Sequence, residues 1–269
     1  TLAAYRLAIE QGADYIRCDL ALTRDGALIC LQDATLARST DAADRFPDRA
    51  PWFAADFTLA EIASLDAGRW FGARFAGARI PTFDDAIAVV RGRAGLFAGL
   101  GHPEVYRARN VDGPRLLAAA LRRHGLDRRG GVRGTPVILQ TPHEPTIRDL
   151  KARLPDVPRV LLVDAAAAAR VADADALAAL ARWADGIGPA ARIVACDPSV
   201  VARAHVQGLG VVVWAFDGDA IGGFPSPRAE MSFFLDTLDV DGVITSCPDQ
   251  FPRPARRDRC APIARRAGR

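Results

Sequence analysis

Short, almost wholly apolar runs separated by helical stretches constrain this chain more than any other feature. Residues 95–100, 136–140, 159–163, 186–187, 211–216 and 242–245 are such runs. They are too short for core helices and lack polar alternation, so both of their faces must be buried, which marks parallel strands. Between and after them, helical patterns cover 113–124, 145–153, 165–184, 198–207 and 227–238. A strand at 15–22 brings the barrel-type strands to seven. An α/β chain of this kind closes into a TIM (β/α)8-type barrel at about 250 residues, and its chemistry sits at the carboxyl ends of the strands. The 269 residues here are of that size. Since the chain opens on a helix, the expectation is that the first of eight strands precedes Thr1.

That opening helix places Leu2, Tyr5, Ala8 and Ile9 on one face. Thr1 is its N-cap and Gly12 its stop. The strand at 15–22 turns at Asp25-Gly26 into a second strand at 28–31, which ends at Gln32-Asp33. Residues 34–80 form a long excursion holding Trp52, Phe53, Phe57, Trp70, Phe71 and Phe75. Within it, Thr58 and Glu61 have the spacing of a capping box for a short helix. Another helix opens at Pro81-Thr82 and runs to Val90.

Half of the residues are hydrophobic and a quarter are charged, enough for a large core. The net charge of +3 implies no global attraction to nucleic acid or membrane. Much of the positive excess sits in residues 253–269, a solvated basic tail. Five scattered cysteines, odd in number and without a C-x-x-C pair, argue against a disulfide framework or a zinc site. No apolar run reaches the roughly 20 residues of a membrane span. The Gly130–Gly134 loop around Arg133 lacks phosphate-loop spacing.

The order of these segments resembles the glycerophosphodiester phosphodiesterase family, in particular its larger bacterial members. Thr1-Leu2-Ala3-Ala4-Tyr5 is similar to the start of the family's first helix. Gly12-Ala13-Asp14-Tyr15-Ile16, Asp19-Leu20 and Thr23-Arg24-Asp25-Gly26 match its next block. Trp52-Phe53, Asp56-Phe57-Thr58-Leu59 and Ile80-Pro81-Thr82-Phe83 follow in order. Val137-Ile138-Leu139-Gln140, Gly186-Ile187-Gly188-Pro189, Val213-Trp214 and Asp241-Gly242-Val243-Ile244-Thr245 complete the set, closed by Pro248-Asp249. Each match is short; their order and spacing carry the resemblance. It assigns residues 1–252 to one domain, with 34–80 as an insertion.

The resemblance implies hydrolysis of glycerophosphodiesters to an alcohol and glycerol 3-phosphate, in lipid metabolism. Ca2+ or Mg2+ would neutralise the phosphate and two histidines would move protons. The family's motifs are His-Arg-Gly before the first helix, Glu-x-Asp, His-Asp and Glu-x-Lys. Here His-Arg-Gly falls before Thr1. Glu-x-Asp reads Arg17-Cys18-Asp19, so a metal carboxylate has become a cation. His-Asp reads Gln32-Asp33, and an amide cannot exchange a proton near neutrality. Glu-x-Lys reads Gly99-Leu100-Gly101, which loses a carboxylate and an ammonium. Of the metal carboxylates only Asp19 remains, and beside Arg17 at i and i+2 it is placed for an ion pair. Smaller departures follow at Thr141, Ala215 and Ser246.

The resulting expectation is a family member with impaired catalysis that binds Ca2+ or Mg2+ poorly or not at all. Arg17, Gln140 and Trp214 are its candidate substrate residues, with Arg17 able to hold a phosphate or glycerophosphodiester without metal. His102 and His143 are candidate replacement bases; as the plainer alternative they are a loop residue and part of a helix-capping loop. His124 reads as a helix C-terminal cation and His205 as a packing residue. Two other readings stay open: an active hydrolase built on Asp19, His102 and His143, and an interaction domain that docks through the aromatic residues of 52–75. The sequence assigns no head group, compartment or oligomeric state.

Overall fold

The computed structural model describes residues 1–131, 134–218 and 223–253. Arg133 and the basic tail from Pro254 onward therefore lie outside the described residues. The chain divides into two compact units, Thr1–Ile138 and Leu139–Arg269.

In the first unit, α1 (Leu2–Glu10) starts at Thr1, whose hydroxyl accepts from Ala4 N–H. Leu2, Tyr5, Ala8 and Ile9 are its partly covered face, and Gly12 ends it at a φ of 85° that suits glycine. β1 (Tyr15–Leu22) runs antiparallel to β2 (Leu28–Cys30) through the Asp25-Gly26 turn, and parallel to β3 (Gly95–Leu100). Every residue of β3 is buried, as a strand covered on both faces requires.

The excursion between β2 and β3 is built from small pieces. α2 (Ala42–Arg45) is a single turn, and α3 (Leu59–Ala63) opens on the Thr58–Glu61 capping box. α4 (Phe83–Val90) opens on a second capping box, Thr82–Asp85. Phe57 is the excursion's buried ring. Phe46 meets it edge-on at 5.2 Å, and the Arg49 guanidinium stacks on it at 3.6 Å. Trp52 is partly covered and its indole N–H donates to the Phe46 carbonyl. The aromatic residues of 52–75 are thus not one surface. Phe46, Phe53 and Phe57 pack within the unit, where their rings meet Arg49 and Arg109, whose charges are held by Glu61 and Asp56, and Trp52 packs on the same hydrophobic cluster. α5 (Pro103–Arg107), which the sequence pattern does not mark, and α6 (Gly113–Arg123) follow β3.

The second unit repeats a strand–helix alternation. Its strands are β4 (Val137–Thr141), which begins at the unit boundary, β5 (Arg159–Val163), β6 (Gly186–Pro189), β7 (Gly210–Phe216) and β8 (Gly242–Thr245). They pair in that order, all parallel, in the registers Gln140↔Val160, Leu161↔Ile187, Ile187↔Val211 and Val213↔Val243. The helices are α7 (Glu144–Arg153), α8 (Ala174–Ala181), α9 (Ala191–Cys196), α10 (Ser199–Val206) and α11 (Pro227–Ser232). The core packs Val, Leu and Ile of β5, β6 and β7 against Trp183, Met231 and Phe234.

Two helical expectations need correction. Residues 165–184 are not one helix. A 3-10 turn, Ala165–Val171, precedes α8, and the carboxylates of Asp164 and Asp173 each accept a backbone N–H that opens a separate segment. Aspartate caps compete with the helix propensity of the alanines and win. Likewise 227–238 divides into α11 and a π-helical turn, Phe233–Thr237. Among the described residues the cysteines, Cys18, Cys30, Cys196 and Cys247, are free.

Candidate functional site

In the first unit, strand pairing assembles the candidate positions. Asp19 of β1 is the register partner of Gly99 in β3, and Arg17 is that of Phe97. Side chains at i and i+2 share a face of a strand, so Arg17, Asp19 and Gly99 point the same way. The end of β2 joins them, because Leu31 N–H donates to the Asp19 carbonyl at 2.9 Å. Gln32 follows, exposed. A side chain built at Gly101 would meet the Gln32 carbonyl at an ordinary 3.8 Å, so Gly101 is not a steric necessity.

What fills these positions opposes metal binding. The Arg17 Nε donates to Asp19 Oδ1 at 3.0 Å, with both side chains about a quarter exposed. A guanidinium therefore occupies the carboxylate that a hard cation would need, and Gly99 opposite offers no ligand. Ca2+ and Mg2+ require several oxygens at 2.0–2.6 Å, roughly six or more of them. Among the described residues no cluster of three His, Cys, Asp or Glu side chains could hold an ion. The residues present do not fit the metal that the resemblance implies. Among the described residues the Arg17 guanidinium pairs through Nε, which leaves the donors of its two terminal nitrogens outside the Asp19 bond.

His102 lies at the end of β3, in the left-handed region at φ 52°. Its Nε2 is 3.0 Å from the Gln32 carbonyl. A carbonyl only accepts, so Nε2 carries the proton, and Nδ1 faces Glu104 at 3.7 Å. The ring bridges the ends of β2 and β3. Asp33, beside Gln32, is ion-paired to Arg38, whose guanidinium lies 5.5 Å over the Trp70 ring. Arg38 is a neighbour of the site with no signal in the linear sequence.

In the second unit, Gln140 and Thr141 are buried at the end of β4. His143 caps α7: its Nδ1 accepts from Thr146 N–H at 3.2 Å and lies 2.8 Å from the Thr146 hydroxyl. That bond requires an unprotonated Nδ1, so a neutral ring carries its proton on Nε2, as in His102. Trp214 near the end of β7 is half-buried and donates its indole N–H to the Gly188 carbonyl at 2.5 Å. The Thr245 hydroxyl closes β8 onto the Phe216 carbonyl at 2.7 Å. Away from the strand ends, His124 is the C-cap of α6 and contacts Asp84, while His205 in the last turn of α10 contacts Asp241 at 2.9 Å.

Comparison with known proteins follows the same residues. The glycerophosphoryl diester phosphodiesterase family model matches residues 1–250. A glycerophosphodiester phosphodiesterase of Bacillus subtilis (strain 168) is 28% identical over 93% of this chain and 80% of its own. Among solved structures, the glycerophosphodiester phosphodiesterase of Agrobacterium tumefaciens str. C58 superposes with a TM-score of 0.70, at 27% identity over 93% of this chain and 91% of that one. A phosphodiesterase of Oleispira antarctica, solved with the product sn-glycerol-3-phosphate, gives 0.74 at 22% identity over 93% and 88%. The strand–helix alternation and these likenesses make the fold a TIM-barrel-like α/β fold. By the match over residues 1–250, the chain belongs to the glycerophosphoryl diester phosphodiesterase family.

Proposed function

We propose that this chain is a family member in which metal-dependent hydrolysis has been lost, and that it binds a phosphate or glycerophosphate group through Arg17 instead. The observation that carries this reading is the Arg17–Asp19 ion pair at 3.0 Å, standing opposite Gly99. A cation held by protein charge replaces a cation held by carboxylates. A guanidinium fork suits phosphate geometry and needs no metal. The Oleispira antarctica relative holds sn-glycerol-3-phosphate, which supplies the ligand class for the test.

The competing reading, an active hydrolase using Asp19, His102 and His143, is disfavoured by the same contacts. Asp19 pairs with Arg17, and the unprotonated nitrogen of His143, Nδ1, caps a helix. A general base must present an unengaged nitrogen toward its substrate.

Thermal shift with glycerol 3-phosphate in chelator-treated buffer tests the binding. The intact chain is expected to gain stability with ligand concentration as mass action requires, and Arg17→Ala to lose that gain. An equal gain in both proteins overturns the assignment of Arg17.

A further inference from the structure

One surface feature of the first unit takes no part in this phosphate reading. The segment from Ala67 to Phe83 carries Arg69, Arg74 and Arg79 and no acidic residue. Interleaved with them are Trp70, Phe71 and Phe75. Trp70 is 52% exposed and Phe71 69%, the two most exposed aromatic rings among the described residues. They are not loosely displayed. Trp70 and Phe71 meet edge-on at 5.7 Å, and Phe71 and Phe75 lie tilted to each other at 5.5 Å. Arg74 lies over Phe75 at 4.7 Å and has no acidic partner among the described residues.

The loop that carries them is fixed from beneath. The Asp66 carboxylate accepts the backbone N–H groups of Gly68, Arg69 and Gly77 at 2.8–3.0 Å. Ala67 N–H donates to the Ala78 carbonyl at 2.7 Å and closes the base of the loop. The chain packs so tightly at Gly68 that an added Cβ would sit 1.9 Å from the Phe75 carbonyl oxygen, so only glycine fits. The tied loop thus holds three contacting rings together, with Trp70 and Phe71 exposed and Phe75 partly covered beneath Arg74. It is tied through Arg38 to the end of β2, beside Gln32 and Asp33.

We infer that the Trp70–Phe71–Phe75 platform is a docking surface for an anionic lipid bilayer. Exposed apolar rings are costly in water unless something covers them, and indole and phenyl rings suit the headgroup boundary of a membrane. Arg74 and Arg79, with Arg69 beside its Asp66 partner at 3.6 Å, form a basic fringe that complements a negatively charged leaflet more than a neutral one. The small net charge of the whole chain conceals this local patch.

The test is co-sedimentation of the intact chain with vesicles of mixed phosphatidylcholine and phosphatidylglycerol, and with phosphatidylcholine alone. Binding is expected to the mixed vesicles and to fall as salt rises. Trp70→Ala with Phe71→Ala is expected to weaken it about tenfold or more, since even half-burial of two such rings exceeds one tenfold step in affinity. Both rings are exposed, so circular dichroism of the double variant should match the parent. Arg69→Gln with Arg74→Gln should flatten the salt dependence. No binding to the mixed vesicles at low salt overturns the inference. So does equal binding by the Trp70/Phe71 variant, which would place the contact on another basic segment. Self-association through the rings, seen by sedimentation velocity and abolished in that variant without any vesicle binding, would overturn it too and assign the platform to a second copy of the chain.

Discussion

Asp66 shows how much one side chain decides. It lies at the foot of the exposed aromatic loop, and its three backbone N–H bonds, ahead of the nearby Arg69 charge, hold its carboxyl down at about 2 from an ordinary 3.8. A folded-state value below the unfolded one means that the stabilisation is complete above about pH 4 and is lost as pH falls toward about 2. The difference in urea midpoint between the parent and Asp66→Asn should therefore shrink over that window. A difference that stays constant would show that the carboxylate charge contributes nothing. Site residues obey the same logic of available partners. The i, i+2 spacing of Arg17 and Asp19 made their pairing readable from the sequence, since strand geometry alone brings them together. The helix-capping role of His143 was among the readings the sequence offered, and the residue does cap α7, but the atoms that His102 and His143 would meet were not readable. Which acceptor a ring nitrogen meets depends on loop backbone that turns near it, and neither Gln32 nor Thr146 announces that role.

At the scale of elements, the sequence was most informative where a local rule has no competitor. The Thr58–Glu61 capping box stands where the spacing placed it, the next helix opens at Thr82, and the runs at 95–100 and 159–163 are wholly buried parallel strands, whereas 242–245 is parallel but only partly covered. It misled where two local preferences oppose each other. In 165–184 a run of alanines favours one long helix, yet Asp164 and Asp173 start two shorter segments. Helix propensity differs among ordinary residues by only a few tenths of a kcal/mol, whereas an N-cap is worth about 1. Asp173→Ala should accordingly lower unfolding stability by about 1 kcal/mol in chemical denaturation. An unchanged midpoint would mean that tertiary packing, not the cap, divides the segment. The helices α5 and α9 escaped notice because five or six residues are too few for a helical period to show.

For the whole molecule, the proposed reading separates family membership from chemistry. The order of strands, turns and caps places the chain in its family, and these are properties of a core that a few substitutions at strand ends leave intact. In the proposed reading, the departures from the family's motifs at Arg17 and Gly99 change the charge at those ends. A metal site needs carboxylates that converge without a competing cation, and Arg17 with Gly99 removes that condition from one pair of strands. The sequence singled out the aromatic residues of 52–75 as a docking candidate, and exposure and ring contacts narrow that candidate to Trp70, Phe71 and Phe75. The most direct measurement is release of glycerol 3-phosphate from glycerophosphocholine by the intact chain, with added Mg2+ or Ca2+ and with chelator. The account predicts no metal-dependent turnover above the protein-free blank. Metal-dependent turnover that is lost in Asp19→Asn would contradict it.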